Sequence, residues 1–210
     1  MFSFLSPDSK FMQVLNRFSD LVILNVLILL TSLPVFTLGA SLAAAYTLTF
    51  RMVRSQEEPI VKSYFRAFRA NFKQGTGLWL ILLLAAVPAL VYFDRFFALE
   101  TPVRYLFVPF LSVFLAAAFT ASFAFPLTSQ FENSLTGTLK NALLLALGNL
   151  PRAAIAAFVN LLPLGLFLFQ YELFLKLGFL WLALYFGAAA YWNAAILWKV
   201  FKPFYPEESQ

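Results

Sequence analysis

The stretch TSLPVFTLGAS, Thr31–Ser41, interrupts an apolar run that begins at Leu21 and stops at Arg51. Its reading sets the number of membrane crossings. A single helix from Leu21 to Phe50 would be about 45 Å long, against a hydrocarbon core about 30 Å thick. Pro34 ends a helix by removing a backbone donor, Gly39 permits a turn, and Ser41 can cap the next helix. These residues predict a hairpin at Val35–Gly39, with Pro34 and Gly39 as the break. Charge points the same way. With six spans and both termini cytoplasmic, Lys10, Arg17, Arg51, Arg54, Lys62, Arg66, Arg69, Lys73, Lys140, Arg152, Lys199 and Lys202 fall inside. Only Arg95, Arg104 and Lys176 fall outside, whereas five spans would move Lys10 and Arg17 out.

Composition makes these runs transmembrane. Of 210 residues, 61% are hydrophobic and 12% charged, and 27 are Phe. A soluble domain of this size keeps about a quarter of its residues charged and could not hide so much apolar surface. The chain lacks Cys and His altogether, which removes disulfides, thiol nucleophiles, Cys/His metal sites and imidazole acid–base chemistry. The net charge of +5 fits basic residues at the cytoplasmic ends of spans better than nucleic acid, for which no motif is present. A cleavable signal peptide is not expected, because about twenty mixed residues precede the first long apolar run.

Outward from the hairpin, Ser6 and Pro7 start an amphipathic entry helix. Lys10, Gln13, Arg17 and Asp20 occupy one face of it, and Phe11, Leu15, Phe18 and Val22 the other. Pro59–Gln74, PIVKSYFRAFRANFKQ, predicts a separate loop helix. Its basic stripe is Lys62, Arg66, Arg69 and Lys73; its apolar stripe is Val61, Tyr64, Phe65, Phe68 and Phe72. Such a helix suits an anionic membrane surface or a docking partner. The candidate docking residues are Lys62, Phe65, Arg66, Phe68, Arg69, Phe72 and Lys73. Spans are expected at 75–97, 105–125, 151–169 and 177–200, with a polar turn at Asp94–Arg104 and an acidic tail PEESQ. A second loop helix, Asn133–Asn149, is expected to be capped by Asn133 or Ser134 and to carry an apolar face of Leu135, Leu139, Leu143, Ala146 and Leu150. The fold class is an all-α integral membrane bundle of about six transmembrane helices with two amphipathic cytoplasmic loop helices, all in one domain.

These segments also carry a family resemblance. LNVLILLTSLPVFTLGAS, the basic RMVR and SYFRAFRANFKQGTGLWL resemble the YesL-like family of bacterial integral membrane proteins, whose domain is of unknown function. The resemblance implies a multi-pass protein of the bacterial inner membrane. Such genes often lie beside sugar-uptake ABC transporters and two-component regulators. The resemblance therefore implies an accessory role near carbohydrate uptake or sensing, with an ABC permease or a sensor kinase as partner. It implies no catalytic residues.

The chain offers no acid pair within a span, no phosphate loop and no nucleophile elbow, so no enzyme activity and no cofactor are expected. The deep polar residues are amides. Asn25, Asn160 and Asn193 form either helix-to-helix glue or a polar intramembrane site. Small residues recur at Ala183, Gly187, Ala190 and Ala194, and at Ala117, Ala121 and Ala124. They allow close packing within the bundle or in a homo-oligomer. Pro88, Pro126 and Pro163 are expected to bend their spans. Three functions are compatible with these residues: a non-catalytic accessory or scaffold subunit, a small-molecule transporter or substrate-capture subunit, and a lipid- or envelope-interacting protein.

Overall fold

The computed structural model describes residues 10–56, 58–95 and 106–205. The Ser6–Pro7 start, most of the Asp94–Arg104 turn with Glu100 and Arg104, and the PEESQ tail lie outside the described residues. Among the described residues there are helices and no strands. They are α1 (Lys10–Ser32), α2 (Leu38–Val53), α3 (Ile60–Arg95), α4 (Phe107–Gln130), α5 (Leu135–Gly148), α6 (Leu150–Phe169), α7 (Tyr171–Lys176), α8 (Gly178–Leu180) and α9 (Phe186–Phe201). A π-helical turn, Trp181–Tyr185, joins α8 to α9. Five segments are long and apolar enough to cross a membrane: Phe11–Ser32, Ile60–Tyr92, Phe107–Gln130, Leu150–Phe169 and Gly178–Phe204. The protein is an all-α membrane bundle.

The chain does turn back at Thr31–Ser41. A short 3₁₀ turn, Val35–Thr37, comes after Pro34. The Thr37 hydroxyl donates to the Pro34 carbonyl at 2.7 Å. Thr31 and Ser41, ten residues apart, meet hydroxyl to hydroxyl at 2.9 Å. At the other end of the pair, Asn16–Asp20 faces Leu48–Met52 across one cavity, so α1 and α2 are antiparallel. The cap is not the expected one: the Ser41 hydroxyl bonds back to the Thr37 carbonyl from inside α2. Of the about six expected spans, five are long apolar helices, and α2, antiparallel to α1, is the short one. α2 has 16 residues, about 24 Å, which is short of the hydrocarbon thickness. It is also the most buried helix, with Ala40, Ala43, Ala44, Ala45 and Phe50 fully enclosed.

α3 corrects a second expectation. Pro59–Gln74 is not a separate loop helix but the first part of one 36-residue helix that continues through Gly75 to Arg95. At about 54 Å it exceeds the hydrocarbon core, so its charged part lies outside the core or the rod tilts. Gly75 is where α2 and α3 come closest. A Cβ on Gly39 would overlap the Gly75 carbonyl, and one on Gly75 would meet the Ala40 backbone at 2.8 Å. Trp79 fastens the hairpin tip by donating its indole N–H to the Val35 carbonyl at 2.8 Å. Likewise α1 runs unbroken from Lys10, so the entry helix and first span are one element.

α4 pairs with the second part of α3. Tyr92 stacks on Phe110 with centroids 4.5 Å apart, and Gln74 donates to the Asn133 carbonyl at the other end. Pro126 and Pro163 lie within helices that continue past them, and α4 runs on to Gln130 rather than stopping at 125. α5 starts at Ser134, whose hydroxyl accepts from Gly137 N at 3.1 Å. Its buried face is Thr138, Ala142 and Ala146, while Leu135, Leu143, Leu144, Leu147 and Leu150 point outward. The expected apolar face is met in part: Ala146 is buried and Leu139 packs against the core, while Leu135, Leu143 and Leu150 are exposed; small residues let helices approach. The same logic seats α9 on α1. A Cβ on Gly187 would overlap the Leu21 carbonyl, and Ala190 and Ala194 are buried beside it.

Candidate functional site

The first part of α3 carries the candidate docking surface. Helical spacing puts Lys62, Phe65, Arg66, Arg69, Phe72 and Lys73 on the exposed side, and Ser63, Tyr64 and Ala67 on the buried side against α2. The expected stripes need two corrections. Tyr64 and Phe68 turn inward and stack on each other with centroids 6.4 Å apart, so Phe68 belongs to the core rather than the docking face. Val61, Phe65 and Phe72 turn outward among the cations. The apolar and basic stripes are therefore not opposite faces: aromatic rings and guanidinium groups share one surface. Tyr64 fixes the rotation of the helix by meeting the Thr31 hydroxyl at 2.7 Å.

One acid organises this end. Glu58 Oε2 accepts from Ser63 Oγ at 2.6 Å and pairs with Arg66 at 2.6 Å and Arg51 at 2.5 Å. The Ser63 hydrogen bond, then the Arg51 and Arg66 charges, hold its carboxyl below the ordinary glutamate range against partial desolvation. Among the described residues, Lys62, Arg69 and Lys73 are in no ion pair. Glu58 is absent from the sequence-based candidates, although the acidic pair Glu57–Glu58 between Arg51 and Arg66, just before Pro59, is a readable signal.

The amides divide into two places. Asn25 is fully buried and spends its side chain on the π turn and the first two residues of α9. Its Nδ2 donates to the Trp181 and Leu182 carbonyls at 3.1 and 2.8 Å, and its Oδ1 accepts from Phe186 N and Gly187 N at 2.7 and 3.1 Å. The other two amides come together elsewhere. Asn193 Nδ2 donates to Asn160 Oδ1 at 2.8 Å and to the Tyr46 hydroxyl at 3.2 Å, and Asn160 reaches Ser122 Oγ at 3.4 Å. Asn193 is fully buried, Asn160 is on the outer surface of α6, and Asn193 Oδ1 has no partner. Tyr46 and Ser122 are cluster members that the sequence alone does not reveal. These contacts link α2, α4, α6 and α9; they are helix-to-helix bonds.

Basic side chains of α1 and the end of α2 lie against the aromatic rings of α9 and the residues that follow it. Arg54 lies over the rings of Trp198 and Tyr205, 5.6 and 5.2 Å from their centroids, and Arg17 lies 5.9 Å over Tyr191. Among the described residues no group of three or more His, Cys, Asp or Glu is placed to hold a metal.

These features define a multi-pass helical membrane protein with one basic, aromatic rim. Residues 21–95, the stretch holding the hairpin, Glu58 and the docking face, match the model of a family described as "Protein of unknown function, DUF624". DUF624 is the domain of YesL-like bacterial membrane proteins, the family the hairpin and FRAFRANFKQ segments resemble. No curated protein and no solved structure matches the chain.

Proposed function

We propose that this protein is a non-catalytic accessory or scaffold subunit of the bacterial inner membrane, and that the exposed face of α3 docks a partner. The observation that carries this is the outward set Lys62, Phe65, Arg66, Arg69, Phe72 and Lys73. It combines cations with exposed aromatics on a rod continuous with a long span. Arginine and aromatic residues are the side chains that anchor interfaces. Association with a carbohydrate importer permease or a sensor kinase rests on the family resemblance alone. The basic rim is taken as cytoplasmic, with both termini on that side.

The transporter or substrate-capture alternative needs a polar cavity at the amides. Asn25 bonds only the π turn and the start of α9, and Asn160 and Asn193 bond neighbouring helices, so this alternative has less to rest on. Affinity purification from native membranes in mild detergent tests the leading reading. Stoichiometric recovery of a permease or kinase, lost in Arg69→Glu/Lys73→Glu, is the expected result. Recovery of the protein alone, or of a partner that both charge reversals leave in place, would overturn it. Sidedness is checked with single cysteines in this cysteine-free chain: Lys202→Cys is labelled only after permeabilisation and Lys176→Cys in intact cells.

A further inference from the structure

The entry segment of α1 is turned in an unexpected sense. Its apolar side, Phe11, Val14, Leu15 and Phe18, faces outward, while Arg17 and Asp20 are partly buried. They face a cavity of about 410 Å³ between α1, the end of α2 and the start of α3, within the range of about 300–1,000 Å³ for small-molecule sites. Its charged lining is Arg17 and Asp20 from α1, one helical turn apart, and Arg51 and Glu58 from the opposite wall. Among the described residues that line it, two cations stand against two carboxylates. The side-chain amides of Asn16 and Gln56 line it as well, and Leu48 and Met52 lie at its base.

That balance selects the ligand class. A simple anion would meet two carboxylates, and a simple cation two guanidinium groups. A ligand bearing both charges a few ångströms apart is matched at both ends. All three contacts made by Glu58 use Oε2, which leaves Oε1 to accept from a further donor. A carboxylate wall distinguishes a primary ammonium, which donates N–H, from a quaternary one, which does not. The cavity opens beside an apolar helix face suited to acyl chains. The geometry points to a binding site for a small zwitterion carrying a primary ammonium and an oxyanion, of which a phosphoethanolamine headgroup is the form a bilayer presents. This site does not depend on the docking surface of α3.

The probes are phosphatidylethanolamine, phosphatidylcholine and phosphatidylglycerol at equal mole fraction in nanodiscs, and glycerophosphoethanolamine added to the protein in detergent. Native mass spectrometry reads retained lipid, and thermal melting reads the soluble compound. The expected result is retention of phosphatidylethanolamine about tenfold or more over the other two, the factor set by a charge-assisted hydrogen bond. Asp20→Asn abolishes the preference over phosphatidylcholine, Gln56→Ala weakens it, and Arg69→Gln leaves it intact. Lipid selectivity without a shift by the soluble compound assigns the site to a bilayer lipid; a shift without lipid selectivity assigns it to a soluble zwitterion. Equal retention with no shift, preference for phosphatidylglycerol, or selectivity that survives both Asp20→Asn and Gln56→Ala in folded protein would each overturn the proposal.

Discussion

Replacing Asn25 by leucine, which keeps the volume, removes the four hydrogen bonds that its side chain makes to the π turn and the start of α9. Side-chain hydrogen bonds between helices in membranes average about 0.6 kcal/mol and reach about 1.7. Four bonds therefore give about 2.4 kcal/mol. A chain of this size loses about 2–4 °C of melting temperature per kcal/mol, so Asn25→Leu should melt about 5–10 °C lower in detergent. Asn25→Asp keeps the acceptor for the two N–H groups but loses the donors and buries a charge, so it should be no better. Circular dichroism melting, repeated in two detergents, is the assay. A drop of under about 1 °C for Asn25→Leu would show that the turn is held by packing alone and would refute the accounting.

Other contacts carry their own expected outcomes. Gly39→Ala forces a Cβ into the Gly75 backbone and the Trp79 side chain; it should cost at least about 1–3 kcal/mol, read as a melting shift, with Gly148→Ala, which meets nothing within 4 Å, as the comparison. A double-mutant cycle of Asn160→Leu and Asn193→Leu should give a coupling of about 0.6 kcal/mol, and zero coupling would deny the 2.8 Å bond. The carboxyl of Glu58 is held low, so its contribution is present above the ordinary glutamate value near 4.5 and is lost as pH falls below that through the folded value. Melting temperatures of the native chain and Glu58→Gln should converge there, and a constant difference down to about pH 3 would count against the ion-pair cluster.

Much of this fold is readable from residue types, and the rest fails for identifiable reasons. The break at Pro34 is legible because proline acts on the backbone locally, whatever surrounds it. The continuity of α3 is not. Its sequence changes at Gly75 from amphipathic to apolar, which looks like an element boundary, but the change is in what surrounds the helix. Gly75 is there for the close approach of α2. In α5 Leu139 and Ala146 pack inward as their spacing suggests, whereas Leu135 and Leu143 are exposed, since a face toward lipid does not require burial of leucine. The docking cations do lie on the exposed side, whereas the aromatics divide, because Tyr64 is drawn inward by Thr31 and α2. The partners of Asn25 depend on one extra residue in the last span, and no periodicity reports that.

That extra residue has a lineage consequence. A π turn is an α-helix with one residue inserted, and each residue rotates what precedes it by about 100°. Deleting one position within Trp181–Tyr185 would restore regular geometry, swing α8 off its present facing and strip Asn25 of its partners. The insertion and the asparagine 156 residues earlier make sense only as a pair, so related chains should gain or lose them together, and a homologue with leucine at position 25 should be one residue shorter in its last span.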